Sequence, residues 1–84
     1  MNLHDYHLMH WEKNAMTFRW RAVDRNGNFF YYSEKPVTTS VNVWLVSNGV
    51  CTEAKSLDAN WAIENWRQTL QQYDDYLNLK KEQP

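Results

Sequence analysis

Three histidines at a spacing of three, His4, His7 and His10, are the first residues of the chain whose types could do chemistry. Neutral imidazoles on one side of a helix can hold a metal, with Asp5 or Glu12 as a neighbouring oxygen ligand. Successive steps of three drift around a helix, however, and Cys51 has no second cysteine with which to complete a Cys/His set. The histidines are therefore read as surface or half-buried residues, and no metal site is expected. There is no nucleophile elbow, no glycine loop to cradle a phosphate and no HExxH pair. Cys51 reads as a small residue in a strand. No catalytic residue and no cofactor is expected, and the chain is not read as an enzyme.

Binding chemistry is better represented. Arg19, Arg21, Phe30, Tyr32 and Trp44 combine arginines with large aromatics, the residue types that protein interfaces concentrate at hot spots. The same types form the stacking platforms of single-strand nucleic-acid binders. A second set, Glu64, Asp74 and Asp75, is acidic and can steer association with a basic partner. Whether either set acts together depends on the elements that carry it.

The acidic set lies in the stretch 57–81, which predicts one long helix. At 100° per residue, Ala59, Ala62, Ile63, Trp66, Leu70, Tyr73 and Leu77 fall within an arc of about 100°. Glu64, Asp74 and Asp75 fall outside it. Ser56 or Asp58 can cap its start, Lys80 and Lys81 suit its negative end, and no Gly or Pro interrupts before Pro84. Such a helix, roughly 33 Å long, overhangs a small sheet. Tyr73, Tyr76, Leu77 and Leu79 then need cover from the N-terminal segment or from a second subunit, which makes a homodimer seam along this helix an expectation.

The arginine and aromatic set lies in residues 16–54, which read as two hairpins. Asn26-Gly27 and Asn48-Gly49 are both type I′ turn signals. A two-residue loop at Asn26-Gly27 sets Val23 opposite Phe30, Ala22 opposite Tyr31 and Arg21 opposite Tyr32. One side then carries Phe18, Trp20, Ala22, Phe29 and Tyr31, a seat for the Trp66 stripe. The other carries Arg19, Arg21, Val23, Phe30, Tyr32 and Glu34. In the second hairpin, 41–47 returns through 50–54, and Trp44 and Val46 share a side with Cys51 and Glu53. The fold expected is α+β: an antiparallel sheet of three to four strands packed on one long C-terminal helix, with the Arg21 and Tyr32 side open. Residues 1–15 read as an extended or irregular segment that lays Leu8, Met9 or Trp11 over the helix overhang.

Eighty-four residues make a single domain, 1–84, and five Trp, five Tyr and three Phe supply bulk for one small core. A lone cysteine suits a reducing compartment. The N-terminal residues show no basic region followed by an apolar run, and no stretch is long and apolar enough for a membrane span. A cytoplasmic protein is expected, with no membrane partner. The net charge of −1 carries no nucleic-acid signature.

The run Phe18-Arg19-Trp20-Arg21-Ala22-Val23-Asp24-Arg25-Asn26-Gly27, followed by Tyr31-Tyr32 and Lys35-Pro36, resembles small accessory proteins of phages and prophages, which often show a W-R-x-V-D-x-x-G strand and turn. The size and the order of strands then helix are similar to anti-CRISPR proteins. The resemblance covers residues 18–36 by motif and the remainder by build. It implies a non-enzymatic inhibitor that binds a protein complex of a bacterial host, and it transfers no site residue. The expected binding residues are Arg19, Arg21, Phe30, Tyr32 and Trp44 on the open face and Glu64, Asp74 and Asp75 on the acidic helix side. RNA or single-stranded DNA binding through the same sheet face is the alternative.

Overall fold

The first hairpin forms one residue out of the expected register. In the structure, a computed structural model that describes residues 1–83, strand β1 (Trp20–Val23) pairs with β2 (Asn28–Tyr32) so that Arg21 faces Tyr31 and Ala22 faces Phe30. The loop is Arg25-Asn26-Gly27, closed by hydrogen bonds from Asp24 N–H to Asn28 O (2.9 Å) and from Gly27 N–H to Asp24 O (2.9 Å). Gly27, not Asn26, takes the left-handed conformation, at φ 95°. This is the three-residue alternative to a type I′ turn. Contacts beyond the hairpin account for it. Leu57 N–H donates to Gly27 O at 2.7 Å, and the Leu57 carbonyl occupies the place a Cβ on residue 27 would need.

A slip of one residue changes which side chains share a face. Arg21 and Val23 now stand with Phe29 and Tyr31, while Trp20 and Ala22 stand with Phe30 and Tyr32. The expected division of the sheet is corrected accordingly.

The second hairpin does not form. Trp44–Leu45 (β4) pairs with Val37–Thr38 (β3) in a separate ribbon, and Cys51–Ser56 (β5) pairs antiparallel with β2. Along β2 the register shifts between Phe29 and Phe30, leaving Ala54 as the extra residue of a bulge. Gly49 packs its backbone against Ser33 and Glu34, and Ser33 exchanges hydrogen bonds with Val50 at 2.9 Å in each direction. The chain around Gly49 therefore serves approach to the end of β2 rather than a tight turn back onto β4.

The long helix is also corrected. It is α2 (Ala59–Asn65), a 3₁₀ turn (Trp66–Gln68), a short strand β6 (Gln71–Gln72) and α3 (Tyr73–Lys81). Pro84, expected to mark its end, lies outside the described residues. The free edge of β1 explains the break. Its backbone groups need partners, and Gln71 and Gln72 supply them opposite Arg21 and Trp20, followed by Tyr73 N–H to Arg19 O at 2.8 Å. Thr69 makes the turn. Its hydroxyl accepts from Val23 N–H at 2.8 Å and donates to Trp66 O at 2.7 Å. Asp58, one of the two caps the sequence allows, caps α2, accepting from Asn60 N–H at 2.9 Å.

The result is an α+β domain with a four-stranded antiparallel sheet in the order β5-β2-β1-β6. One face packs Arg21, Val23, Phe29 and Tyr31 against Ala62 and Tyr76 of the two C-terminal helices and against Tyr6 and Trp11. Tyr6 belongs to a short N-terminal helix, α1 (Leu3–Leu8), capped by Asn2. The N-terminal segment thus covers α3, one of the two covers the sequence allows for, and Tyr76 is buried within the chain. The opposite face joins Trp20 and Ala22, expected to seat Trp66, with Phe30 and Tyr32, expected to lie open, and it is covered by Trp44 from the ribbon and Trp66 from the 3₁₀ turn, with Val46 and Leu70.

Candidate interaction surfaces

Arg21 is the clearest departure from the sequence reading. It is 0% exposed, so it lies beyond the reach of a partner. Its Nε donates to Gln71 Oε1 at 2.9 Å, and its terminal nitrogens reach Tyr6 O and His7 O at 3.3 Å and His10 O and Tyr31 Oη at 3.4 Å. Trp11 and Tyr76 stack near the guanidinium, at 4.6 and 5.2 Å from ring centre to Cζ. Carbonyls at the negative end of α1 and aromatic faces take the place of a carboxylate.

Tyr32 and Trp44 are buried as well. The Tyr32 hydroxyl donates to Trp44 O at 3.5 Å, and burial pushes its pKa up. Trp44 is anchored at both ends of its residue: its backbone N–H donates to Asp24 Oδ1 at 2.8 Å and its indole to Val23 O at 3.0 Å. Burial raises the Asp24 pKa, and the Trp44 N–H offsets part of that rise. Phe30 is half-buried beside Tyr32. The five residues expected to form one open face are therefore divided among a core, a covered face and an edge.

The structure does join two residues that the sequence placed on separate surfaces. Arg19 Nη2 donates to Asp74 Oδ1 at 2.9 Å, and its guanidinium lies 5.7 Å from the centre of the Tyr73 ring. The pair is substantially solvated, so it orients the two side chains more than it stabilises the fold. Glu64 and Asp75 remain exposed, but Glu64 is on α2 and Asp75 on α3. A single acidic helix side does not exist.

The histidines separate too. His4 and His10 are exposed, and His7 is half-buried with Nε2 at 2.9 Å from Gln68 O. Burial lowers the His7 pKa, the hydrogen bond to Gln68 O works the other way, and the nearby Arg21 charge adds to the lowering. Among the described residues no three His, Cys, Asp or Glu side chains gather closely enough to hold a metal.

Surface concavities remain in three places that matter. An apolar groove of about 280 Å³ runs between the ribbon and the sheet, lined by Phe30, Leu45, Val46 and Cys51, with Asp24 also on its wall. Two hollows, of about 400 and 420 Å³, involve α3. One carries Asp75 and Glu82 together with His7. The other carries Lys13, Lys80 and His10 over aromatic rings. Sequence reasoning missed Lys13, Lys80 and Leu45, because each reaches its site through a pairing of segments distant in the chain. Comparison with protein-family models, with curated proteins and with solved structures finds no match for this chain. No helix among the described residues is long and apolar enough to cross a membrane.

Proposed function

We propose that the chain is a non-enzymatic protein-binding domain, and that it binds through the β3–β4 ribbon and the apolar groove beside it. The observation that carries this reading is a cross-strand pair, Val37 opposite Leu45, left 60% and 53% exposed. Facing β-branched and aliphatic residues normally stabilise a ribbon by burial, and here both sides of the pair meet solvent. Leu45 also lines the groove, so the exposed pair is continuous with a concave apolar surface. Beside it, β5 ends the sheet, with its outer backbone groups unpaired by any other strand of the described sheet order. An extended segment of a partner could add to such an edge while its side chains enter the groove.

The resemblance of residues 18–36 to phage accessory proteins supports a bacterial host complex as the partner class, and an inhibitory role by occupation of its surface. Binding of RNA or single-stranded DNA through the sheet face has lost its support, since Arg21, Tyr32 and Trp44 are buried. The test is capture from bacterial lysate with wild type, Leu45→Asp and Lys81→Ala compared by quantitative mass spectrometry. A partner retained by wild type and Lys81→Ala but lost with Leu45→Asp, at unchanged far-ultraviolet circular dichroism, supports the reading. A partner held equally by all three chains overturns it.

A further inference from the structure

The hollow that carries Lys13 and Lys80 is built unlike the rest of this weakly acidic surface. Its floor is three aromatic rings in mutual contact: Trp11 lies 5.1 Å from Tyr73 and 5.6 Å from Tyr76, and Tyr73 lies 6.0 Å from Tyr76. Lys13 and His10 come from the segment after α1, and Lys80 from the last turn of α3. No carboxylate is among its lining residues, and neither lysine belongs to an ion pair among the described residues. Asp74, on the same helix, is already engaged by Arg19. The companion hollow has the opposite character, with Asp75 and Glu82 and no lysine or arginine.

A favourable place at the negative end of α3 accounts for Lys80 and Lys81 alike. It does not account for Lys13, which arrives from another part of the chain and lines the same hollow. From this geometry we infer a binding site for a small aromatic phosphate, a planar ring joined to an anionic head, as in a nucleoside monophosphate. The ring packs on the half-buried Tyr73 and on the edges that the nearly buried Trp11 and Tyr76 leave exposed, and Lys13 and Lys80 neutralise the head. A volume of about 420 Å³ is in the range of small-ligand sites. The site is independent of the ribbon surface proposed for a protein partner.

The experiment is a titration of the full chain with adenosine monophosphate, phenyl phosphate, inorganic phosphate and adenosine. It is followed by the indole N–H resonance of Trp11, which donates to Phe18 O at 3.1 Å, and by calorimetry. Both aromatic phosphates are expected to bind saturably and more tightly than inorganic phosphate or adenosine alone. Tighter binding of adenosine monophosphate than of phenyl phosphate identifies a nucleotide as the source; equal binding identifies the aromatic phosphate group itself. Lys13→Ala and Lys80→Ala are each expected to weaken binding about tenfold, while Lys81→Ala, with the same change of net charge, leaves it unaltered. The inference is overturned if neither aromatic phosphate shifts Trp11 at about 10 mM. It is equally overturned if inorganic phosphate binds as tightly, or if the three lysine variants behave alike.

Discussion

Arg21 concentrates the chemistry of this fold at the scale of one residue. A cation removed from water needs compensation, and here it receives five oxygen contacts and aromatic faces but no carboxylate within ion-pair distance among the described residues. Removing the side chain takes the donor from Gln71 Oε1 and His10 O, and one of two donors from the Tyr6 and His7 carbonyls. Arg21→Ala is expected to cost about 3–5 kcal/mol in urea unfolding. Arg21→Lys is expected to cost more than about 1 kcal/mol, because an ammonium cannot span the fork from Gln71 to the α1 carbonyls. Arg25→Ala, on the exposed turn, should change stability by no more than about 0.5 kcal/mol. His7 adds a pH dependence with a definite sign. Its folded pKa is held below the ordinary 6.5, chiefly by burial. As pH falls through 6.5 the unfolded chain takes up the proton first, so stability is lost from there down to the lower folded value. Unfolding midpoints measured at about pH 7.5 and about pH 5.5 should fall further for wild type than for His7→Gln, which can still donate to Gln68 O.

At the scale of elements, the strands that the sequence marks do exist, and their partners are where the reading fails. The aromatic run of β2 and the alternation before it are strong local signals, so the α+β class and the antiparallel sheet were legible. Asn26-Gly27 announced a turn correctly, but the choice between loop lengths was made by Leu57, thirty positions away in the chain, docking on Gly27. Gly27→Ala is therefore expected to cost more than a left-handed glycine alone would predict, on the order of 2–3 kcal/mol, because the new Cβ meets the Leu57 carbonyl as well. Thermal unfolding beside Gly49→Ala measures it. The continuous helical stripe from Ala59 to Leu77 was misleading for a related reason. Trp66, Leu70 and Tyr73 keep a helical spacing in sequence, yet the bare edge of β1 draws Gln71 and Gln72 into the sheet and Thr69 ties off the turn. Tertiary hydrogen bonding outweighs small differences in helix propensity. Three of the candidate binding residues leave the surface with the register: one slipped residue sends Arg21 inward, and Trp44 then covers the face that Tyr32 shares.

For the molecule as a whole, the N-terminal segment changes from a loose cover into part of the interior. Tyr6 is fully buried, with its hydroxyl donating to Thr69 O at 2.8 Å, and Trp11 is nearly so. The same segment provides the Tyr6, His7 and His10 carbonyls that hold Arg21. Deleting residues 1–11 removes two large aromatic side chains, worth on the order of 4–6 kcal/mol of burial, from a domain whose total stability is of similar size. It also opens the arginine to solvent and removes three of its carbonyl partners. The truncated chain is expected to unfold at a much lower urea concentration than the full chain, with weakened near-ultraviolet circular dichroism. Loss of packing and loss of charge compensation can then be told apart by adding Arg21→Met. In the full chain this substitution removes satisfied contacts and destabilises. In the truncated chain water replaces the lost carbonyls around the guanidinium, fewer contacts are removed, and the substitution should destabilise less. Equal destabilisation of both chains by Arg21→Met would mean that the N-terminal carbonyls contribute packing alone, and that the arginine is solvated by Gln71 and Tyr31 without them.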